Sequence, residues 1–449
     1  MVGVLVARRR LGRVAPALLA AAVGAIAWDA VKMGAPLSDL MFVVLVPVLA
    51  FIVVRSPGRA WLPRPVWLGA GLIAVSGVVD ALVPTSAAYE EGRYQAVAQF
   101  VPTVAARVRL ELVSTFKLEI GLLVLPLAVV FLATSYRRVR LLADLWVLSA
   151  VASCLVALSD KAGLTHISLS LLGAVDVTGR QAGLANNPNH LATVAVQTIP
   201  LTVYWMTQGG RRCRAGVVAA AVLCAGVWVS GSRGGLVTAV GALVVACLLL
   251  PRARRGLWPV LAVGAPVLAA IAVMHPSVVG EVAHKTRILS ASGSASDQQR
   301  ALVLAQALRD FLHRPLTGIG FDVGDQGHCI YLQVLASGGI VGLVGFLCSV
   351  LGMLGAAVRW RVLAGDGLAM ALAVGAGAWL VMGAVENDLL DRYMYPPFAL
   401  LVGLTYLAVR STRGGQVPPG DAEIAPSDEP RTADSVALTA PSGPGPGGR

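Results

Sequence analysis

From Cys329 to Val358 the chain carries no charged residue. An apolar run longer than the ~20 residues needed to cross the hydrocarbon core of a bilayer has one fold open to it. It must be a helix, because in lipid each backbone N–H and C=O has to be satisfied within the segment. The run has company. Apolar segments of spanning length read at 14–31, 38–54, 66–83, 118–134, 141–159, 190–206, 215–232, 234–250, 257–274, 330–358, 367–385 and 393–410. Composition agrees: 56% of the 449 residues are hydrophobic and 13% charged, about half the ~25% charged content of soluble domains. The expected fold class is an all-α integral membrane protein of about twelve transmembrane helices, with a large loop between the ninth and tenth.

Arginine clusters orient these segments. Arg8, Arg9, Arg10 and Arg13 precede the first. Arg55, Arg59 and Arg64 follow the second, Arg137, Arg138 and Arg140 the fourth, and Arg211, Arg212 and Arg214 the sixth. Arg252, Arg254 and Arg255 follow the eighth, and Arg359 and Arg361 the tenth. Every second loop is basic, so the positive-inside rule puts both termini in the cytoplasm. The net charge of +12 is then mostly topology rather than a nucleic-acid footprint. Ala25-Ile26-Ala27 offers a weak cleavage site should the first segment be a signal peptide. The six cysteines have neither CxxC nor disulfide-framework spacing, and Cys154, Cys224, Cys247 and Cys348 read as small apolar residues. Residues 93–108 show helical apolar spacing and read as a helix in the membrane interface. The tail from Ser411 reads as disordered.

Most of the unusual polar residues fall on the predicted outer side, at three places. The first is Gly179-Arg180-Gln181-Ala182-Gly183-Leu184-Ala185-Asn186-Asn187-Pro188-Asn189-His190. Its Asn and Pro residues are helix-capping types, and its arginine stands beside the bilayer. The bland reading is a cap with an interfacial arginine reaching lipid headgroups. The second is the tight turn Ser230-Gly231-Ser232-Arg233-Gly234-Gly235. It retains an arginine where outer loops are poor in them, at a depth where charge usually faces a partner or a cavity. The third is His328, at the mouth of the uncharged run, with Tyr331 three residues on and expected on the same helical face. A neutral imidazole there suits a general base, although a lone loop histidine is more often structural. Taken together, two arginines can hold a diphosphate through bidentate contacts while the histidine takes a proton.

Arg180 with Asn187-Pro188-Asn189, the Ser232-Arg233-Gly234 turn, and Arg314-Pro315-Leu316, Gly318-Ile319-Gly320, His328 and Tyr331-Leu332 resemble the O-antigen ligase and Wzy-type polymerase family. They do so in order and in side of membrane, over roughly residues 175–350. The resemblance implies a GT-C-like membrane glycosyltransferase using undecaprenyl-diphosphate-linked glycan without cofactor or metal. It puts the diphosphate on Arg180 and Arg233 and the base on His328. Asn187, Asn189, Arg314, Tyr331 and Asp388 are further candidate substrate-binding residues. One departure is Cys329, where the family often has Asn. The implied organisation is 1–174 for the N-terminal helices, 175–350 for the ligase-like region with its external loop 275–329, 351–410 for the C-terminal helices, and 411–449 for a cytoplasmic tail.

Of Arg287, Arg300, Arg309 and Arg314 in the large loop, one is a candidate to add to the clamp, and solvated faces explain most of them. Glu386, Asn387, Asp388, Asp391 and Arg392 cluster after the eleventh segment and are candidates for orienting the acceptor or for pairing with Arg233. Glu90 and Glu91 lack a third ligand for a cation. No Walker P-loop or DxD motif is present, which argues against ATP and nucleotide-sugar donors. The expected activity is transfer or polymerisation of lipid-diphosphate-linked glycan, with inversion, at the extracytoplasmic face of the cytoplasmic membrane. Its partners are the lipid-linked glycan, a glycan or lipid acceptor and membrane lipid, with no nucleic acid. The alternative is a polytopic transporter or flippase for lipid-linked oligosaccharide. Such proteins place charge and broken helices at the bilayer midplane, whereas here the polar residues gather on one side.

Overall fold

The computed structural model describes residues 14–28, 36–55, 61–86, 88–89, 92–93, 104–168, 179–185, 187–255, 291–321, 328–386 and 389–414. Among them there is no β-strand. The helices are α1 (Val14–Gly24), α2 (Leu37–Arg55), α3 (Arg64–Leu82), α4, α5 (Tyr136–Lys161), α6 (Pro188–Met206), α7 (Gly210–Ser230), α8 (Arg233–Leu249), α9 (Ala291–His313), α10 (Ile330–Arg359), α11 (Gly367–Met382) and α12 (Pro396–Gly414). Helix α4 runs Val104–Glu119, passes through a π-turn at Ile120–Val124 and continues as Leu125–Leu132. The described residues up to Val409 form one compact unit.

Among the described residues six helices are long and apolar enough to cross a membrane, against the twelve expected: α2, α3, Leu110–Leu132 of α4, α5, α7 and α10. Helices α1, α8 and α11 are shorter apolar helices. The chain is a multi-pass helical membrane protein. Its outward side chains are apolar, among them Val54, Leu68, Val75, Val237 and Val358, as suits contact with hydrocarbon rather than water. The segment 257–274 lies outside the described residues. So do 94–103 of the expected interfacial helix, and the helix that follows begins well before residue 118.

Helix α6 is central and unlike the others. Every side chain from Asn189 to Trp205 is buried, including Thr193, Gln197, Thr198 and Thr202. The three threonine hydroxyls donate to carbonyls one turn back, and Gln197 Nε2 donates to Met394 O at 3.2 Å. Polar side chains of this kind are tolerated at membrane depth when they are enclosed by protein, here by α5, α7, α8 and α11.

The uncharged run is broken. Within α10, Gly339 has φ 60° and ψ −161°, a backbone region open essentially to glycine alone. The loop after α9 seats in the gap. Ile319 N donates to Ala336 O at 3.0 Å and Gly320 N to Ser337 O at 2.9 Å, while Ile340 N and Val341 N donate to Pro315 O and Leu316 O. Ser76 Oγ on α3 ties both sides, donating to Thr317 O and Gly338 O. A Cβ at Gly339 would stand 2.3 Å from the Leu316 carbonyl, so close packing and backbone conformation demand glycine together.

The helix ends sort into two sets. One end of the bundle gathers Tyr136, Tyr204 and Asp366, with Trp205 and Arg212 both donating to Asp144. The other gathers the starts of α6, α8 and α10 with the ends of α3, α7 and α11, and it holds the candidate residues.

Candidate functional site

Helix α7 ends at Gly231, which takes the left-handed conformation (φ 62°, ψ 21°), and α8 begins two residues later. Ser232 caps α8, its Oγ accepting from Gly235 N at 3.1 Å. Arg233 is therefore the first residue of α8. Helix α6 starts nearby, with Asn187 as its cap accepting from Asn189 N at 2.8 Å. Helices α6 and α8 meet closely: a Cβ at Gly235 would stand 2.6 Å from the Ala192 methyl. Two helix N-termini thus lie side by side, each with backbone N–H groups and a positive dipole end.

Arg180 lies across this corner. Its Nε donates to Ser230 O at 2.7 Å and its guanidinium donates to Asn189 Oδ1. Its chain packs over Gly231, where a Cβ would stand 3.3 Å from Arg180 Cγ. Gln181 N, next along, donates to Val229 O. These contacts fix the plane of the fork against the turn that carries Arg233. A cation at the positive end of a helix is placed for an anion rather than for helix stability.

The corner continues to His328 through the end of α11. A Cβ at Gly234 would meet Val385 at 3.0 Å and Met382 Sδ at 3.4 Å. Gly383 O accepts from Ile330 N at 2.7 Å, two residues beyond His328. The histidine stands before the cap residue Cys329 of α10, with a left-handed φ of 41°. Because it precedes the helix, the expected sharing of a helical face with Tyr331 does not arise. Tyr331 instead donates its hydroxyl to Leu380 O at 2.6 Å. His328 is half-buried, and its Nδ1 has no hydrogen-bond partner among the described residues. Burial, and then the charge of Arg300, push its pKa below the ordinary imidazole value, so the ring is neutral at pH 7.

Other candidates have local work. Arg314 donates to Val83 O at 2.6 Å and stands 3.7 Å from Asp80. It thereby pins the seated loop to the end of α3, away from the Arg180 corner in its contacts. Arg392 pairs with Asp39 at 2.7 Å and donates to Ser38. Asp391 lies 3.1 Å from His190 Nδ1 and accepts from the Tyr393 hydroxyl at 3.0 Å. His190 is 8% exposed, so it is packed into the bundle. Glu386, 2% exposed, lies 3.9 Å from Arg300, a pairing that reading the loop arginines as solvated did not anticipate. Asn387, Asp388, Glu90, Glu91 and Arg287 lie outside the described residues. Among the described residues no group of three or more His, Cys, Asp or Glu could hold a metal ion, and no disulfide is formed.

The fold is that of a multi-pass helical membrane protein, and one end of its bundle brings Arg180 to the turn that carries Arg233. Residues 217–347 match the family model described as O-antigen ligase, which supports assigning the chain to the O-antigen ligase and Wzy-type family. The matched stretch includes Arg233, Arg314, His328 and Tyr331. Arg180, Asn187 and Asn189 precede it. No curated protein matches the chain.

Proposed function

We propose that this protein is a membrane glycosyltransferase that transfers or polymerises a glycan carried on undecaprenyl diphosphate, at the extracytoplasmic face of the cytoplasmic membrane. The observation that carries the reading is that Arg180 is held against the turn that makes Arg233 the first residue of α8, where the N-termini of α6 and α8 meet, with Arg233 inside the region matched by the O-antigen ligase model. Arginine forks and helix N-termini together favour phosphate oxygens. The alternating basic loops put this end outside.

In the proposed step His328 takes the proton of an acceptor hydroxyl. The hydroxyl oxygen forms a bond to the anomeric carbon from the face opposite the diphosphate, inverting that carbon. The bond from carbon to diphosphate oxygen breaks, and its electron pair leaves with the lipid diphosphate held by Arg180 and Arg233. The developing charge on the leaving group is what these arginines stabilise. A base kept neutral at pH 7 is ready for proton removal.

The test is release of undecaprenyl diphosphate from an undecaprenyl-diphosphate-linked glycan by the purified chain with a sugar acceptor. Release that depends on acceptor, and falls in Arg180→Lys and Arg233→Lys, is the expected result. Equal release in both lysine variants and wild type would remove the clamp from the mechanism.

A further inference from the structure

Arg300 is a cation to which the proposed step gives no task. Its NH2 stands 3.9 Å from Glu386 Oε1, the outer limit of an ion pair. Its Nε is buried with no hydrogen-bond partner among the described residues. An unmet buried donor is unfavourable, and arginine is the side chain suited to planar oxyanions. The position is held from two sides. Helix α9, which carries Arg300, is anchored by Asp310, 1% exposed. Asp310 accepts from Arg93 Nε at 2.9 Å, Tyr89 Oη at 2.8 Å and Gln306 Nε2 at 2.8 Å. Glu386 follows the Gly383 turn whose carbonyl takes the Ile330 N–H. Arg300 and His328 thus approach the end of α11 from separate elements, and the charge of Arg300 is felt at the His328 ring.

We propose that Arg300 determines acceptor specificity by gripping an oxyanion, carboxylate or phosphate, borne by the acceptor glycan, with Glu386 as the placeholder that the ligand displaces. The inference rests on reading His328 as the base. Arg300 and His328 are linked to the same end of α11, through Glu386 and through the Ile330–Gly383 bond; inversion puts the attacking hydroxyl opposite the diphosphate, so a cation on the base's side faces the acceptor, while Arg180 and Arg233 are assigned to the leaving group. The long Arg300–Glu386 contact is a weak pairing that a better-placed anion outcompetes.

The test is calorimetric binding to the purified full chain in lipid nanodiscs. The probes are p-nitrophenyl β-glucuronide, p-nitrophenyl β-glucoside, the same glucoside bearing a 6-phosphate, and undecaprenyl diphosphate. Wild type is expected to bind at least one acidic glycoside roughly tenfold tighter than the neutral one. The acidic probe that wins identifies the oxyanion. Arg300→Gln abolishes the preference and leaves undecaprenyl diphosphate binding within about twofold, since that ligand is held by charge-assisted contacts elsewhere. Arg300→Lys retains part of the preference, and Glu386→Gln strengthens acidic-glycoside binding by removing the competitor. No preference in wild type, or a preference that survives Arg300→Gln, overturns the proposal. So does loss of undecaprenyl diphosphate binding in folded Arg300→Gln, which would move Arg300 to the leaving-group side. If Arg300→Gln does not fold, the opposite responses expected of Arg300→Lys and Glu386→Gln carry the test. Failure of wild type to bind undecaprenyl diphosphate would count against the transferase reading, while the acidic-to-neutral ratio still reports on Arg300.

Discussion

Two arginine-bearing, glycine-rich loops look alike as sequence and are used differently. In Arg314–Gly320 the polar groups are spent on the chain itself. The guanidinium holds the end of α3, and the loop backbone fills the break in α10 at Gly339. In Ser230–Gly234 the backbone is occupied with ending one helix and starting another, and that places Arg233 at a helix N-terminus with Arg180 folded against it. The difference teaches that glycine and arginine together do not identify a ligand site. What distinguishes them is where the fold puts the charge: Arg314 ties a loop to the end of α3, whereas Arg233 is the first residue of a helix, at its positive end.

That contrast can be broken by substitution. The largest effect is expected from His328→Ala, a loss of transfer of roughly 10²–10⁴-fold at unchanged thermal unfolding midpoint. His190→Ala is expected to lower the midpoint more than the turnover, because His190 is packed against Tyr393 and Asp391. Reversal of these two outcomes would move the base to α6. Arg180→Lys and Arg233→Lys are expected to lose about 10²-fold in turnover, the scale of removing one preorganised donor set, with folded yield retained.

On the packing side, Gly339→Ala is expected to destabilise by about 2–4 kcal/mol, through a backbone region closed to alanine and a collision with the Leu316 carbonyl. Urea unfolding in detergent reads this, and turnover per folded molecule should hold. Arg314→Lys is expected to change turnover less than about twofold, because a lysine retains the charge toward Asp80 and a donor for Val83 O. A large turnover loss there would erase the contrast.

The pH response sharpens the comparison further. Because the His328 pKa is depressed, transfer should be level around pH 7 and fall only on the acid side of the ordinary value of about 6.5. The unfolded chain binds the proton more readily than the folded one. His328 therefore costs no stability above that ordinary value and destabilises progressively as pH falls below it. His328→Gln should remove the acid limb of folding stability as well as the activity.

Much of this fold is written in hydropathy. Apart from 257–274 and the end of 14–31, which lie outside the described residues, each apolar segment read from the sequence overlaps a described helix, and six of these helices have spanning length and hydropathy. The capping role of Asn187 and the turn at Gly231 follow from residue type. The break in α10 was less legible: Ser337-Gly338-Gly339 is its only local signal, and an uncharged run gives no reason to stop a helix. The Arg300–Glu386 pairing could not be read at all, since it joins residues far apart in sequence whose approach depends on Asp310 anchoring α9. His190 was legible as a polar residue beside Arg180 but not as a buried one, because enclosure of α6 is a property of the whole bundle.

That enclosure has a consequence for biogenesis. Asn189, His190, Thr193, Gln197, Thr198 and Thr202 spread over more than half the circumference of α6, and every residue from Asn189 to Trp205 is buried, so the helix has no face to offer to lipid. Entering the bilayer alone, it would expose amide and imidazole groups to hydrocarbon at a cost of several kcal/mol. The spans on either side, α5 and α7, are apolar enough to partition unaided. Insertion of α6 is therefore a cooperative event. Its stable burial is complete only when α5, α7, α8 and α11 surround it, and α11 is made more than a hundred residues later.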